Sequence, residues 1–363
     1  MRATFVGVLT GTAIILTEAA GGPSIGSGAI RGGAVNSGAF NPSRAESVTF
    51  TYALDRADRV SVRVWDPDGG LVRKVADMAP RAVGTHHERW DGKDDGGRVV
   101  PDEAYVWTIE TASGATYDPM ALSGGVVADI KDARFDGQAG TVTYRLPAAS
   151  RVLIRLGVQS GPMLKTLVDW KPRVAGSITE YWDGRDESGL IRLRDNPNFT
   201  ALITYVTLPD ATVITYGNAG ESYRDYKLGR GKAATRKLER PRLPDPQGRL
   251  VPVNLVPPVW SRAPRVQVTF RGAAGDVPSV KDYVDVHVDV DPTDRDRLLQ
   301  DQFELIFFVD NVFFAEAERG HLPFNWRWEV HQLPPGEHVL TVNVASFRGQ
   351  VGVASRKVQV TRP

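Results

Sequence analysis

Two motifs in the sequence carry the carboxylates that a metal site would need. Residues 90–94 read Trp-Asp-Gly-Lys-Asp, and residues 182–186 read Trp-Asp-Gly-Arg-Asp. Carboxylates at this spacing could bind Ca²⁺, but an EF-hand loop needs further oxygen ligands and a glutamate at its twelfth position. A turn is the simpler interpretation, because aspartate bonds its own backbone, glycine tolerates a positive φ and tryptophan closes the end of a core. The predicted turn residues are Trp90, Asp91, Gly92, Asp94, Trp182, Asp183, Gly184 and Asp186.

A second acidic pattern follows one predicted strand. Asp285, His287, Asp289 and Asp291 alternate with valines, so they share one face of that strand. Such a face could bind a divalent ion, with Asp294 or Asp296 helping from the next turn. It is more typical of the solvated face of an edge strand, where charge prevents aggregation. We expect no metal site, and the sequence leaves ion binding by this face open.

Other catalytic chemistry has little support in the sequence. There is no cysteine, which excludes disulfides, thiolate metal sites and cysteine nucleophiles. There is also no phosphate-binding glycine loop and no Gly-x-Ser-x-Gly elbow. We therefore predict a protein that is not an enzyme and has no cofactor or small-molecule substrate. The histidines, none of them in a triad or metal-binding pattern, are His86, His87, His287, His321, His331 and His338.

Composition indicates a soluble globular chain of two or three domains. The 363 residues are 42% hydrophobic and 24% charged, which are ordinary values for a folded protein. The 44 basic and 43 acidic residues give a formal charge of +1, so no global field attracts nucleic acid or an anionic membrane. Any electrostatic partner must be recognised locally.

The sequence repeats itself once. Leu54 and Leu146, like Trp90 and Trp182, are 92 positions apart, and the same offset relates Gly84 to Gly176 and Asp94 to Asp186. Within each copy apolar and polar residues alternate, and Gly, Pro and Asp punctuate the short apolar segments. This pattern predicts two copies of one antiparallel β-sandwich.

The first copy contains the motifs Phe40-Asn41-Pro42, Asp66-Pro67-Asp68-Gly69, Gly84-Thr85-His86, residues 90–94 and Ala104-Tyr105-Val106-Trp107. With these motifs it resembles the immunoglobulin-like domain of bacterial flagellar hook-capping proteins. The resemblance covers residues 40–111 well and 135–205 less well. Ala104 stands where the module carries glycine, and residues 196–199 replace its usual Gly-x-Tyr ending. It implies a spacer or interaction module without catalytic residues, and the rest of the chain does not resemble a hook cap.

A basic, proline-rich arm follows the repeat. Between Glu221 and Arg249 there are nine basic and four acidic residues, a net charge of +5. The arm is either a solvated connector or an extended segment that lies on an acidic protein surface. The predicted partner-binding residues are Arg236, Lys237, Arg240, Tyr223, Tyr226 and Trp260.

Alternating apolar segments resume at Arg265 and predict a third sandwich. Residues 335–342 resemble the penultimate strand of many bacterial immunoglobulin-like domains. The third sandwich is also the most aromatic region, and its rings either fill the core or form a binding patch. These residues are Phe313, Phe314, Phe324, Trp326 and Trp328.

The N-terminus has the layout of an export signal. Arg2 precedes an apolar run from Ala3 to Leu16, which is about the length of a signal-peptide core and short of the roughly 20 residues that span a bilayer. Glu18 is unfavourable for cleavage after Ala20, and three alternatives stay open: a retained membrane or complex anchor, a cleaved signal, or neither. Either of the first two places the remaining chain in the periplasm or on the outer face of the cytoplasmic membrane.

The sequence thus predicts an all-β chain of three immunoglobulin-like antiparallel β-sandwiches in tandem with an N-terminal apolar segment. The function it favours is a non-catalytic extracytoplasmic accessory subunit that binds other subunits of a larger membrane-associated complex. Candidates include an envelope assembly, an appendage or an energy-converting complex such as a photosynthetic one, and no motif chooses among them. The alternatives are a secreted adhesion or carbohydrate-binding protein and a hydrolase fragment without its catalytic domain. The predicted segments are 1–38 (signal or anchor), 39–115 and 125–217 (the repeat), 218–263 (arm) and 264–363 (third sandwich).

Overall fold

The computed structural model describes residues 30–230, 234–235 and 262–362. The apolar N-terminal run lies outside these residues, as do Arg236, Lys237, Arg240 and Trp260. Within the described ranges, no helix combines the length and the apolar character that crossing a membrane requires.

The first sandwich uses the alternating segments of the first repeat. A three-stranded sheet in the order β1-β3-β6 faces a larger sheet that contains β7-β4-β5, with β8 paired to β7. Its core includes Phe50, Trp90, Tyr105 and Trp107. The strands are β1 (Ile30–Val35), β2 (Ala39–Phe40), β3 (Val48–Leu54), β4 (Asp58–Trp65), β5 (Leu71–Arg81), β6 (Gly84–Trp90), β7 (Ala104–Thr111) and β8 (Thr116–Tyr117).

The second sandwich repeats this arrangement, with β10-β11-β14 facing β13-β12-β15-β9. The strands β5 and β13 are each eleven residues long and occupy equivalent repeat positions. Each contains a residue with positive φ at the same position, Met78 (49°) and Trp170 (48°), where the pairing is irregular. The elements are α1 (Pro119–Leu122), β9 (Val127–Asp129), β10 (Arg134–Asp136), β11 (Thr141–Leu146), β12 (Ser150–Val158), β13 (Met163–Arg173), β14 (Gly176–Tyr181) and β15 (Phe199–Thr207).

After the second sandwich the chain returns to the first. The strand β16 (Val213–Thr215) lies between β7 and β2, and it pairs with β2 in parallel. Val213 belongs to the first core, and the Thr215 hydroxyl donates to the Pro101 carbonyl at 2.8 Å. The sequence pattern predicts residues 213–215 as part of the second domain and residues 30–35 as part of the N-terminal segment. The structure places both with the first sandwich, because their apolar side chains complete its core.

The third sandwich packs β17-β19-β22 on β18-β24-β23-β20-β21. Its core is rich in valine and contains Phe303, Phe307 and Trp328. Together the three sandwiches confirm the predicted all-β fold class. The remaining elements are α2 (Tyr223–Gly229), β17 (Val266–Arg271), β18 (Ser279–Val280), β19 (Tyr283–Val290), α3 (Pro292–Asp301), β20 (Phe303–Val309), β21 (Val312–Ala317), β22 (Phe324–Glu329), β23 (Gly336–Ser346) and β24 (Val351–Val360).

The two longer helices are additions to the predicted pattern. Ser222 caps α2 by accepting from the Asp225 amide, and Asp291 caps α3 by accepting from the Thr293 amide. Proline at the first position of α3 is a favourable start for a helix. Asp294, which the sequence analysis considered as a metal ligand in a turn, therefore lies in the first turn of α3.

Candidate functional site: the joints between the sandwiches

The first Trp-Asp-Gly motif forms a tight turn at the end of β6. Trp90 is 1% exposed, and its indole N–H donates to the Lys93 carbonyl at 2.9 Å. The Asp91 carboxylate accepts from the Lys93 amide at 3.1 Å. Gly92 has φ +73°, and a side chain there would collide with Pro42. The motif therefore fixes the end of the core through local hydrogen bonds.

The second motif makes the same turn. The Trp182 indole N–H donates to the Arg185 carbonyl at 2.9 Å, and Asp183 accepts from the Arg185 amide at 3.0 Å. The last aspartate of each motif is buried and accepts from the backbone of the following loop. Asp94 binds the Arg98 amide at 2.9 Å, and Asp186 binds the Ile191 amide at 2.7 Å.

The helix α2 docks beside the first turn. Tyr226 is fully buried in the first core, and its hydroxyl donates to Asp94 at 3.0 Å. The Tyr223 hydroxyl donates to Asp68 at 3.0 Å, and Lys227 forms an ion pair with the same carboxylate. Tyr223 and Tyr226 were predicted to anchor a partner protein. That prediction is wrong for their side chains, because both are buried against this chain's own first sandwich.

The α2 contact has a strong electrostatic component. Burial raises the pKa of the Asp66 carboxyl, while the Gly70 amide and the cations Lys227 and Arg230 oppose that shift. Burial also raises the pKa of the Tyr226 hydroxyl to about 12. The start of the basic arm therefore neutralises acidic groups within the same chain. The Leu71 N–H, at the start of β5, also donates to the Ala234 carbonyl at 2.8 Å.

Replacing Tyr226 should loosen the first sandwich. We expect Tyr226→Ala to lower the free energy of unfolding by about 3–5 kcal/mol, because it removes a buried aromatic ring and the bond to Asp94. Leu228→Ala on the same helix is the control, since Leu228 is 73% exposed. Denaturant unfolding of both variants gives the comparison, and equal stabilities would show that α2 is not part of the core.

A buried ion pair joins the first and second sandwiches. Arg151 at the start of β12 donates to Glu103 at 2.6 Å, and each side chain is only 7% exposed. Arg151 also donates to the Trp170 carbonyl at 3.1 Å, while Glu103 accepts from the Ala104 amide at 2.6 Å. Burial raises the pKa of the Glu103 carboxyl, and the Arg151 guanidinium opposes that shift. Glu103 and Arg151 therefore compensate each other's charge in this buried position.

The second and third sandwiches are joined by hydrogen bonds between side chains of one and backbone groups of the other. The Asn343 amide accepts from the Met163 N–H at 3.0 Å and donates to its carbonyl at 2.7 Å. The Ser355 amide donates to the Ser188 hydroxyl at 2.8 Å. Asp169 accepts from the Ala263 amide at 2.7 Å, and burial raises the pKa of its carboxyl. This joint thus uses strand β13 and the loop after the second Trp-Asp-Gly turn.

The third joint connects the first sandwich to the third through α2 and α3. The Asp294 carboxylate is fully buried and pairs with Arg262 at 3.2 Å. Arg265 donates its backbone N–H to Asp294 at 3.2 Å. From α2, Arg224 reaches the Thr293 carbonyl at 3.3 Å and lies 4.0 Å from Asp294. Each sandwich therefore contacts both of the others, and the sequence analysis anticipated none of these joints.

The turn motifs and sandwich geometry agree with a known module. Residues 37–115 match the FlgD Ig-like domain family. This confirms the predicted resemblance, and the FlgD Ig-like module corresponds to the first copy of the repeat. Among curated proteins, none matches the chain significantly.

Several solved structures are similar to parts of the chain, all with low TM-scores. An endo-β-1,4-mannanase from Thermotoga petrophila is 17% identical over 49% of this chain and 30% of its own, with a TM-score of 0.23. A 1.5-MDa bacterial ice-binding adhesin is 12% identical over 93% and 98%, with a TM-score of 0.19. A Ca²⁺-stabilised ice-binding adhesin of an Antarctic bacterium is 14% identical over 93% and 74%, with a TM-score of 0.18. The chain spans less than a third of the mannanase, and scores this low carry no argument about function.

The acidic face of β19 is paired with arginines. Arg327 donates to Asp285 at 2.9 Å, and Arg295 pairs with Asp289. Asp291 caps α3 and pairs with Arg265 at 2.7 Å. Among the described residues, no group of three or more His, Asp or Glu side chains is arranged to hold a metal ion. The expected edge position is wrong, because β19 lies between β17 and β22.

The aromatic residues of the third sandwich divide between core and surface. Trp328 is fully buried, and Phe324 and Trp326 are half-buried against the core. On the edge strand β21, Phe313 is 53% exposed and Phe314 is 46% exposed. Three of the five rings therefore fill or line the core, and the binding role predicted for the exposed Phe313 and Phe314 stays a prediction.

One histidine should make the third sandwich sensitive to pH. His338 is nearly buried between the Asp310 carboxylate, 2.6 Å from Nδ1, and the Pro334 carbonyl, 2.8 Å from Nε2. Burial alone lowers the pKa of His338, but the bonds to Asp310 and Pro334 outweigh it and raise the pKa above 6.5. Two acceptors around the ring favour the imidazolium, in which both nitrogens carry protons.

Because the folded state holds this proton more tightly than the unfolded state, the stabilisation is complete below pH 6.5. It is lost as the pH rises through the folded-state pKa. Thermal unfolding of wild type and His338→Gln between pH 5.5 and about pH 9 measures the difference. His331→Gln is the control, because His331 is exposed. A constant difference between wild type and His338→Gln over this range would show that the pKa of His338 is the same in the folded and unfolded states, which would contradict the raised pKa.

Proposed function

We propose that this protein is an exported, non-catalytic structural subunit whose three sandwiches act as one rigid block. The observation that carries the proposal is the set of joints, above all the buried Glu103–Arg151 ion pair. A solvent-exposed linker between independent modules would leave such groups hydrated and allow the domains to move. The matched FlgD Ig-like module supports a spacer or interaction role for the first sandwich.

Part of the basic arm forms contacts with the sandwiches of the same chain. Residues 222–230 of the arm bind the first sandwich, and Arg262 binds the third. Attachment to a larger membrane-associated complex then falls to the apolar N-terminal segment and to the remaining basic residues of the arm. An acidic protein surface is the partner that these basic residues favour.

Cell fractionation tests this function directly. A membrane preparation in mild detergent should hold the protein in a large complex on a native gel, with defined co-purifying subunits. A variant that lacks residues 1–29 should lose membrane association, while it retains all the described strands from Ile30 onward. Recovery of the intact wild type as a free monomer in the medium would contradict the proposal and favour a secreted adhesion protein.

A further inference from the structure

The outer face of the smaller sheet in the second sandwich is unusually rich in hydrogen-bonding groups. This sheet has the order β10-β11-β14, and its inner face packs Val142 and Tyr144 into the core. Since neighbouring residues in a strand point to opposite faces, the outward residues can be read from the register. They form two rows across the strands, Asp136–Thr141–Tyr181 and Arg134–Thr143–Thr179.

Tyr181 dominates this face. Its ring is 80% exposed, the largest exposure among the large apolar and aromatic residues of the described chain. It has no aromatic or cationic neighbour among the described ring contacts. A single exposed ring is ordinary on a protein surface, so Tyr181 counts here for its place beside the polar rows. Tyr181 pairs with Thr141 across the sheet, so it stands in the same row as Thr141 and Asp136.

A cleft of about 630 Å³ opens beside these rows. It lies between the turn after β10 and the loop at Arg194, and it contains two guanidinium groups, two carboxylates, one side-chain amide and two hydroxyls. Within the described residues Arg134 has no carboxylate partner, which leaves its donors available. The lining residues are Arg134, Phe135, Asp136, Gly137, Gln138, Thr141, Thr143, Arg194 and Asp195.

The equivalent face of the first sandwich has a different composition, although the fold is the same. Arg89 occupies the repeat position of Tyr181, and it donates to the Ser47 hydroxyl at 2.7 Å. His87 occupies the position of Thr179 and bonds Thr51 at 3.0 Å. Thr143 bonds Thr179 at 3.1 Å in the same way, so the two faces differ at the tyrosine, which the sandwich itself does not require.

We propose that this face of the second sandwich binds a polysaccharide. A sugar ring presents a flat face of C–H groups, which packs on an exposed tyrosine ring. Its neighbouring hydroxyls form hydrogen bonds with carboxylate and guanidinium groups. An open, polar cleft suits a hydrated chain that passes through it, whereas apolar small molecules prefer enclosed apolar pockets. A protein partner would require more apolar area than Tyr181 and Phe135 supply. Binding at this site does not depend on the proposed subunit role.

Affinity electrophoresis of the full chain tests the site. Three native gels are compared. One contains no polysaccharide, one contains a soluble neutral β-glucan, and one contains polygalacturonate as an acidic probe. We expect at least one polysaccharide to retard the wild type, and the two probes distinguish a neutral from a uronate-containing ligand. Tyr181→Ala and Tyr181→Arg should each weaken the apparent Kd at least about tenfold, which is roughly 1.4 kcal/mol. Arg134→Gln should also weaken it.

Matched controls come from elsewhere in the chain. Arg89→Ala changes the equivalent position of the first sandwich, and Tyr216→Ala removes another exposed tyrosine, 47% exposed. Both should bind like the wild type, and all variants should keep its melting temperature because the changed residues are exposed. Absence of retardation with both polysaccharides would overturn the proposal. So would retardation that is unaffected by either Tyr181 variant and by Arg134→Gln.

Discussion

Trp90→Ala should lower the free energy of unfolding of the first sandwich by about 3–5 kcal/mol. The Trp90 ring lies 5.5 Å from Phe40, 6.5 Å from Phe50 and 5.4 Å from Tyr105, so its loss leaves a cavity among three aromatic residues. It also removes the bond that holds the Lys93 carbonyl. Chemical denaturation followed by circular dichroism measures the effect.

Trp182→Ala provides a comparison within the same chain. Trp182 is 9% exposed and stacks on a single ring, Phe199, at 5.4 Å. We therefore expect a smaller loss, near the lower end of the same range. If Trp90→Ala has the same denaturation midpoint as the wild type, the turn motif does not close the core.

Arg151→Ala should destabilise the protein by about 3–5 kcal/mol, because it leaves the Glu103 carboxylate buried without its partner. The matched control is Arg59→Ala. Arg59 holds the same position in the first copy of the repeat, but its side chain is exposed. An exposed arginine at this position should contribute less than about 1 kcal/mol.

The double variant Glu103→Ala/Arg151→Ala separates pairing from packing. If the charges are coupled, the double variant should be much less destabilised than the sum of the two single variants. Additive losses, or equal stabilities of Arg151→Ala and Arg59→Ala, would contradict a buried joint between the first two sandwiches.

The local parts of this structure could be predicted from the sequence. The turns at Trp90 and Trp182 follow from residue types within five positions, and the repeat makes each copy a test of the other. The strands of the third sandwich likewise follow from alternating valines such as Val284 and Val286. In each case the signal and the structure that it specifies occupy the same short segment.

The joints could not be predicted in this way, because their partners are distant in the sequence. Glu103 and Arg151 are ordinary charged residues until the fold buries both. Val213–Thr215 forms a strand because it pairs with β7 and β2, which belong to an earlier domain. For Tyr226, the basic composition of its segment indicated solvent exposure, and only the acidic surface formed by Asp66, Asp68 and Asp94 explains its burial. The cap at Asp291-Pro292 was a local signal for α3 that the sequence analysis missed.

A distance measurement between the first and third sandwiches tests the rigid block most directly. The chain has no cysteine, so Leu228→Cys and Leu299→Cys place spin labels at only two positions. Both residues are exposed, Leu228 on α2 of the first sandwich and Leu299 on α3 of the third. If the joints hold, double electron–electron resonance should give one narrow distance distribution in the full chain. A broad distribution, or several separate distances, would show that the sandwiches move independently and would contradict the account.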